Sequence, residues 1–238
     1  MLSGNVLKVF AIVTMCMDHI GAVIIEPLIA QLSQTLDLNS ISELQKLQFL
    51  QNLDRALRLI GRLAFPIFCF LLVEGFLHTR NVKNYALRLL VFSAISEIPF
   101  DLAIQAGWFD PSLQNVYFTL FLGLVALIGI QKYQFTFWKQ AVVVAVCFGT
   151  AVWLRTDYGA MGVCFIVLLY LLRDHKVQQM IWGSIVICGE MTAPLAFIPI
   201  RMYNGTRGKW NLKYLFYTFY PLHLLILWGI RKVCFPGI

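Results

Sequence analysis

Long apolar blocks alternate with short polar segments along the whole chain. About 20 apolar residues in helix cross the hydrocarbon of a bilayer. Eight blocks predict spans over residues 6–25, 59–77, 85–102, 116–130, 138–154, 159–172, 179–200 and 212–230. The blocks are continuous, without the two-residue alternation of an outer-membrane barrel. The first stops at Glu26-Pro27. Pro66 predicts a kink in the second, and Pro99 lies near the end of the third. Glu190, Pro194 and Pro199 interrupt the seventh, and Pro221 lies inside the eighth. A polar stretch separates the first two spans. Within it Ser40 precedes Glu43 by one helical turn, the spacing of a capping box. Ile41, Leu44, Leu47, Leu50, Leu53, Leu57 and Ile60 then recur every three or four residues. That pattern predicts an amphipathic helix lying at the membrane interface and feeding the second span. The predicted fold class is all-α: one polytopic transmembrane bundle of about eight spans covering residues 1–238.

Composition supports this reading. Hydrophobic residues make up 59% of the 238 and charged residues 13%, against about 25% charged in a soluble domain. The net charge of +7 sits between apolar blocks. There topology signals and lipid headgroups account for it, and nucleic acid is not an expected partner. The six cysteines show no CxxC and no ligand spacing with histidine, so they read as small buried hydrophobes and no metal is expected. The first block ends in no convincing cleavage site and carries Asp18 and His19, so it reads as a retained span. The expected location is the cell membrane, multi-pass. With eight spans both termini share a side. That side then carries ten of the 19 Lys and Arg, the other carries eight, and Arg62 lies within a span. The split weakly favours inside termini. The basic loop 201–213 falls on the outer side and is discordant.

Ionisable groups within spans are functional candidates, since a charge at a helix centre costs about 2.5–3.5 kcal/mol. Asp18 and His19 lie deep in the first span, and helix neighbours do not face each other, so Asp18 should point to another partner. Arg55, Arg58 and Arg62 share a face, which suits headgroup snorkelling or an anionic ligand. Glu74 and His78 stand one turn apart; alone they make no metal site. Arg80, Lys83 and Arg88 suit a membrane anchor or a phosphate patch. Glu97 and Asp101 flank Pro99, where freed carbonyls suit a cavity wall. Asp157-Tyr158-Gly159 reads as a tight turn, with a helix cap as the plain alternative. Glu190 has no visible partner, Tyr203-Asn204-Gly205 with Arg207 is a turn, and His223 lies in the last span after Tyr220-Pro221.

The segments MCMDHIG (15–21), GRLAFPIF (61–68), LLVEGFLHTRN (71–81), SEIPFD (96–101), QNVYFTLFLG (114–123), DYGAMG (157–162), YNGTRG (203–208) and FYPLHL (219–224) occur in this order. As a series they resemble the TraX family, named for an F-pilin acetylation protein and similar to the wider integral-membrane acyltransferase family 3. Those enzymes pass an acyl group from acyl-CoA to an acceptor, and their first span carries an Arg, ten residues and a His. Here Lys8 precedes His19 by that interval, keeping the charge but not the planar fork.

The resemblance implies acetyl transfer from acetyl-CoA to an amine or hydroxyl of a peptide, amine or glycan acceptor. His19 is the expected general base by direct attack, with an acetyl-histidine route less favoured. Asp18, Glu74, Glu97 or Asp101 are candidates to orient it, and Arg62, Tyr158, Tyr203 or Asn204 to supply oxyanion donors. Lys8, Arg62, Arg80, Lys83, Arg88 and Arg207 are candidates for the acyl-CoA. Glu97, Asp101, Asn115, Asp157, Tyr203, Asn204 and His223 are candidates for the acceptor. Two other classes use the same fold: a small secondary transporter with the buried charges as a proton relay, and a non-catalytic membrane assembly factor for a surface apparatus.

Overall fold

The computed structural model describes residues 1–35, 40–105, 107–209 and 213–235. Its regular structure is helical, with two isolated β-bridges, Leu2 to Tyr203 and Gln114 to Thr156. α1 (Gly4–Ile20) runs through a π-helical segment (Gly21–Ile25) into α2 (Glu26–Thr35). The helix therefore continues beyond the expected stop at Glu26-Pro27. Pro27 offers no N–H to the carbonyl four residues back, and the wider turns just before it take up the misfit. Residues 36–39 of the polar stretch lie outside the described residues.

α3 (Ile41–Gly61) starts at the expected cap, where Ser40 accepts from the Glu43 amide at 3.5 Å. It packs back against α2 and the π-helical segment. After a turn at residues 62–63 it continues as α4 (Ala64–His78). α3 is thus one arm of a helical hairpin with α2 and feeds directly into the second predicted span. α2 buries no residue and α3 only Gly61. The bend falls just ahead of Pro66, which sits in the first turn of α4, where its missing N–H costs nothing.

α5 (Val82–Phe100) extends through a second π-helical segment (Asp101–Gln105). Then follow α6 (Val116–Lys132), α7 (Phe137–Trp153), α8 (Gly159–Leu171), α9 (Lys176–Val186), two 3₁₀ turns, α10 (Phe197–Arg201) and α11 (Lys213–Cys234). Residues 210–212, including the expected start of the eighth span, lie outside the described residues.

α6 is apolar all round and buried, with Leu124, Ala126 and Leu127 fully enclosed. Such a helix belongs at the centre, and it packs on α5, α7 and α8. α7 buries only Cys147 and Ala151 and turns Trp138, Val142, Val146 and Trp153 outward. An apolar outer stripe of this extent is the inverse of a soluble surface.

Contacts fix the helix directions. Gly61 packs on Asp18, while Phe70, further along α4, meets Tyr203, which is bridged to Leu2. α1 and α4 are therefore antiparallel. The end carrying Leu2 is termed proximal and the opposite end distal. α6 and α8 begin, and α7 ends, beside the distal pairing of Gln114 with Thr156.

The expected seventh span, 179–200, does not cross once. α9 enters from the proximal end, is only 11 residues long, roughly 16 Å, and the chain turns back through Cys188–Glu190 and Ala193–Ala196. Glu190 pairs with Arg62 at 3.0 Å and the Thr192 hydroxyl donates to the Leu59 carbonyl. α10 then returns proximally. Pro194 and Pro199 cannot donate to a continuous helix, and the bend gives the half-buried Glu190 charge a partner. The basic loop after α10 consequently packs on the start of α1, where Gly4 donates to the Thr206 carbonyl at 2.8 Å. Leu2 and Cys234 lie at opposite ends, not on the shared side expected from eight crossings.

A Cβ on Gly61 would stand 2.3 Å from the Asp18 Cβ, so backbone must move to admit one. Gly61→Ala is expected to destabilise the fold by about 1–3 kcal/mol. Gly149→Ala, at a site with open space, is expected to change little. Thermal unfolding in one detergent compares the two.

Candidate active site: a polar layer around a histidine pair

His19 lies 15 residues along α1, roughly 22 Å from the proximal end. Its Nδ1 is 2.6 Å from Nε2 of His223 on α11. Nδ1 of His223 is 2.8 Å from the Phe219 carbonyl, which can only accept. That contact assigns the protons of the neutral pair. His223 Nδ1–H donates to Phe219, its Nε2 accepts from His19 Nδ1–H, and His19 Nε2 keeps a free lone pair. His223 therefore holds the ring and tautomer of His19, as the third member of a hydrolase triad does. The pair is framed by aromatics. Phe219 stacks on His223 at 5.0 Å and Tyr220 meets His19 edge-on at 5.9 Å.

Pro221 helps present this surface. It has no N–H for the Tyr217 carbonyl, and the Tyr117 hydroxyl approaches that oxygen at 3.3 Å. The break in α11 is thus satisfied from α6.

Asp18 turns away from His19 to Arg58 at 2.6 Å, and Arg58 also reaches Glu26 at 3.3 Å. Arg62 bridges to Glu190 at 3.0 Å and lies beside the Tyr158 hydroxyl. The Tyr158 ring stacks on Phe65 at 3.6 Å. Tyr158 takes φ +61°, Arg155 φ +52° and Gly159 φ +44°, so the turn from α7 to α8 uses left-handed backbone at two side-chain-bearing residues. Such strain persists where the surroundings fix it. Here Gln114 pairs with both sides of the turn and Thr119 donates to the Asp157 carbonyl.

Next to this layer, Asn115 caps α6, accepting from the Tyr117 amide at 3.0 Å, and its amide donates to Glu97 and to the Ser93 carbonyl. Asp101 accepts from the Asp110 amide at 3.0 Å. Asp110, in the exposed loop, is held below the usual carboxylate range by hydrogen bonds from Ser112. Buried Arg231 donates to the carbonyls of Ala103 and Leu102 in the second π-helical segment. One carboxylate oxygen on each of Asp18, Asp54, Glu97 and Asp101 is buried without a hydrogen-bond partner. Buried acceptors of this kind mark places where a further donor fits.

The sequence candidates thus separate into two groups. The structure gathers Asp18, His19, Arg62, Asp157, Tyr158 and His223 in one layer, with Glu97, Asp101 and Asn115 beside it. Lys8, Glu74, Arg80, Lys83, Arg88, Tyr203, Asn204 and Arg207 lie towards the proximal end. Arg80 is 19 residues beyond Gly61, roughly 28 Å along the helix from the Asp18 contact. The Lys8 ammonium sits 5.1 Å above the Phe216 ring. Arg88 lies 5.9 Å from the Tyr85 ring. Tyr203 faces Glu74, and its phenol is pushed up to about 12 by burial and then by that carboxylate. Tyr203 therefore remains a donor at neutral pH.

Arg58 and Tyr220 belong to the layer although neither was among the expected site residues. Arg58 was visible in the Arg55, Arg58, Arg62 face; Tyr220 lay in the FYPLHL segment without an assigned role. Among the described residues no cluster of three metal-ligating side chains occurs.

The family model described as TraX protein matches residues 3–231. The chain belongs to the TraX family. This TraX chain is also 32% identical over 200 residues to a probable fimbrial assembly protein FimC, serogroup H1, of Dichelobacter nodosus, covering 72% of the chain and 81% of the relative. No solved structure matches it.

If the tautomers are as assigned, nitrogen shifts of histidine-labelled protein will show His19 as an Nδ1–H imidazole. His223→Phe is expected to abolish that preference, because the acceptor is gone.

Proposed function

We propose that this TraX protein serves the assembly of a surface fibre from within the cell membrane, and that it acts there as an acyltransferase with His19 as general base. The first half is supported by the printed name of the fimbrial assembly relative. The second half is supported by one observation, the hydrogen-bond chain that leaves the His19 Nε2 lone pair free to accept a proton.

Two helices, Gly4–Thr35 and Ile41–His78, are long and apolar enough to cross a membrane among the described residues. The shorter α6, α7 and α8 are apolar as well, and in this reading the bundle spans the bilayer several times. With the α9–α10 turn, twelve of the 19 Lys and Arg fall towards the proximal end. Lys46, Arg55, Arg58, Arg62, Arg155, Arg231 and Lys232 fall at the distal end. The positive-inside tendency then makes the proximal end cytoplasmic, and the loop 201–213 is no longer discordant.

Acyl-CoA supplies the activated acyl group in this scheme. Its phosphates fit the proximal cations Arg80, Lys83 and Arg88 better than the layer itself, where Arg58 and Arg62 are already paired with carboxylates. His19 Nε2 takes the proton of the acceptor amine or hydroxyl as the new C–N or C–O bond forms and the C–S bond breaks. The proton then passes to the departing sulfur. His223 receives the hydrogen bond of the imidazolium, and Arg62 with Tyr158 offers donors to the developing oxyanion. Glu97, Asp101, Asn115 and Asp157 are the polar groups this reading offers to the acceptor.

The two halves separate in a strain lacking the protein. Wild type restores surface fibres and the acyl mark on the acceptor, read by mass spectrometry. His19→Ala, expressed at equal level, is expected to lose the mark at least 100-fold, the upper part of a general base's usual contribution. Fibres restored by His19→Ala would leave assembly without the chemistry. Absence of an acyl mark in wild type would remove the acyltransferase reading altogether.

A further inference from the structure

Two openings meet at the outer side of α9 and α10. One is a groove of about 630 Å³ whose walls include Ile181, Ser184, Leu195 and Ile198. The other is a cavity of about 310 Å³ at the proximal end, bearing Glu74, Arg173, Lys176, Gln179, Arg201 and Tyr203. Phe197 and Arg201 line both, so the openings adjoin. The groove is apolar apart from Ser184 and Arg201, and Ile181, Leu195 and Ile198 are exposed along it. The cavity holds three cationic side chains and one carboxylate, Glu74, which faces Tyr203. Arg173 leans on Asp174 at 3.6 Å and on the Tyr170 ring at 4.6 Å, leaving Lys176 and Arg201 as the better anion donors.

An apolar groove that adjoins cations suits an amphiphile with an anionic head. We propose that α9 and α10 bind an anionic phospholipid, its phosphate against Arg201 and Lys176 and one acyl chain in the groove. The location agrees with the charge distribution, because basic pockets between helices on the cytoplasmic side collect anionic headgroups. The bent path of α9 and α10, two short helices in place of one crossing, is what opens the groove. The site does not rest on the acyl-transfer reading, since an assembly factor without chemistry would hold the same lipid.

Native mass spectrometry of the full chain from detergent tests this, with phosphatidylglycerol and phosphatidylcholine of equal chain length supplied together. Wild type is expected to retain phosphatidylglycerol about tenfold over phosphatidylcholine, the size of one charge-assisted contact. Arg201→Ala is expected to erase the preference. Lys176→Ala, on the exposed rim, gives the same direction should Arg201→Ala not be recovered folded. Ser184→Trp fills the groove and should lower retention of both lipids. Equal retention by wild type, or an unchanged preference in the cation variants, overturns the proposal. Displacement of the lipid by inorganic phosphate, together with normal retention in Ser184→Trp, would assign the site to a free anion and overturn it as well.

Discussion

The pairing of Asp18 with Arg58 organises the bundle. A carboxylate deep in an apolar helix needs a hydrogen-bonded counter-charge, and the structure supplies it from α3 at 2.6 Å. The guanidinium reaches Asp18 only because α3 and α1 cross at Gly61, where any larger residue would collide with Asp18. Once that crossing is fixed, the neighbouring residue on α1 is committed as well. Successive side chains on a helix diverge by about 100°, so His19 faces away from Arg58 and towards α11.

The same demand explains why short helices and irregular turns collect at one depth. α6 and α8 start there and α7 ends there. α9 turns back where Glu190 finds Arg62. Each of these ends brings unpaired backbone groups, and they are met by Asn115, Thr119, Gln114 and the neighbouring turn. Two π-helical segments pass beside the layer, one following His19 in α1 and one following Glu97 in α5. Helix distortions of this type often accompany functional sites. The layer is thus the place where the bundle concentrates both its polar side chains and its departures from regular helix.

Much of this was legible in the sequence where the signal is local. Apolar blocks marked the helices, Ser40 and Glu43 marked a cap, and the Asp157-Tyr158-Gly159 turn falls between α7 and α8 as expected. Asp18 and His19 stood out because charge in such a block is costly. What the sequence did not reveal depends on distant partners. Glu190 and the two prolines after it looked like interruptions of one span. Only the contact with Arg62 shows a reversal, and with it the placement of the basic loop. His223 read as a candidate for acceptor binding, since its relation to His19 spans 204 positions. Carboxylates were the expected orienters of His19, but the nearest one is claimed by Arg58. The helix past Pro27 was not expected because the π-helical turns just before it, which take up the misfit of the proline, leave no local signal.

The central claim is that His19 is a base whose lone pair is held free by His223. The most direct measurement is acetyl transfer from acetyl-CoA by purified protein, comparing wild type, His19→Ala and His223→Ala across pH. The account predicts turnover that rises through a histidine titration in wild type, none in His19→Ala, and in His223→Ala a lower rate with a displaced pH midpoint. Wild-type turnover in His19→Ala, or an unchanged pH profile in His223→Ala, would contradict it.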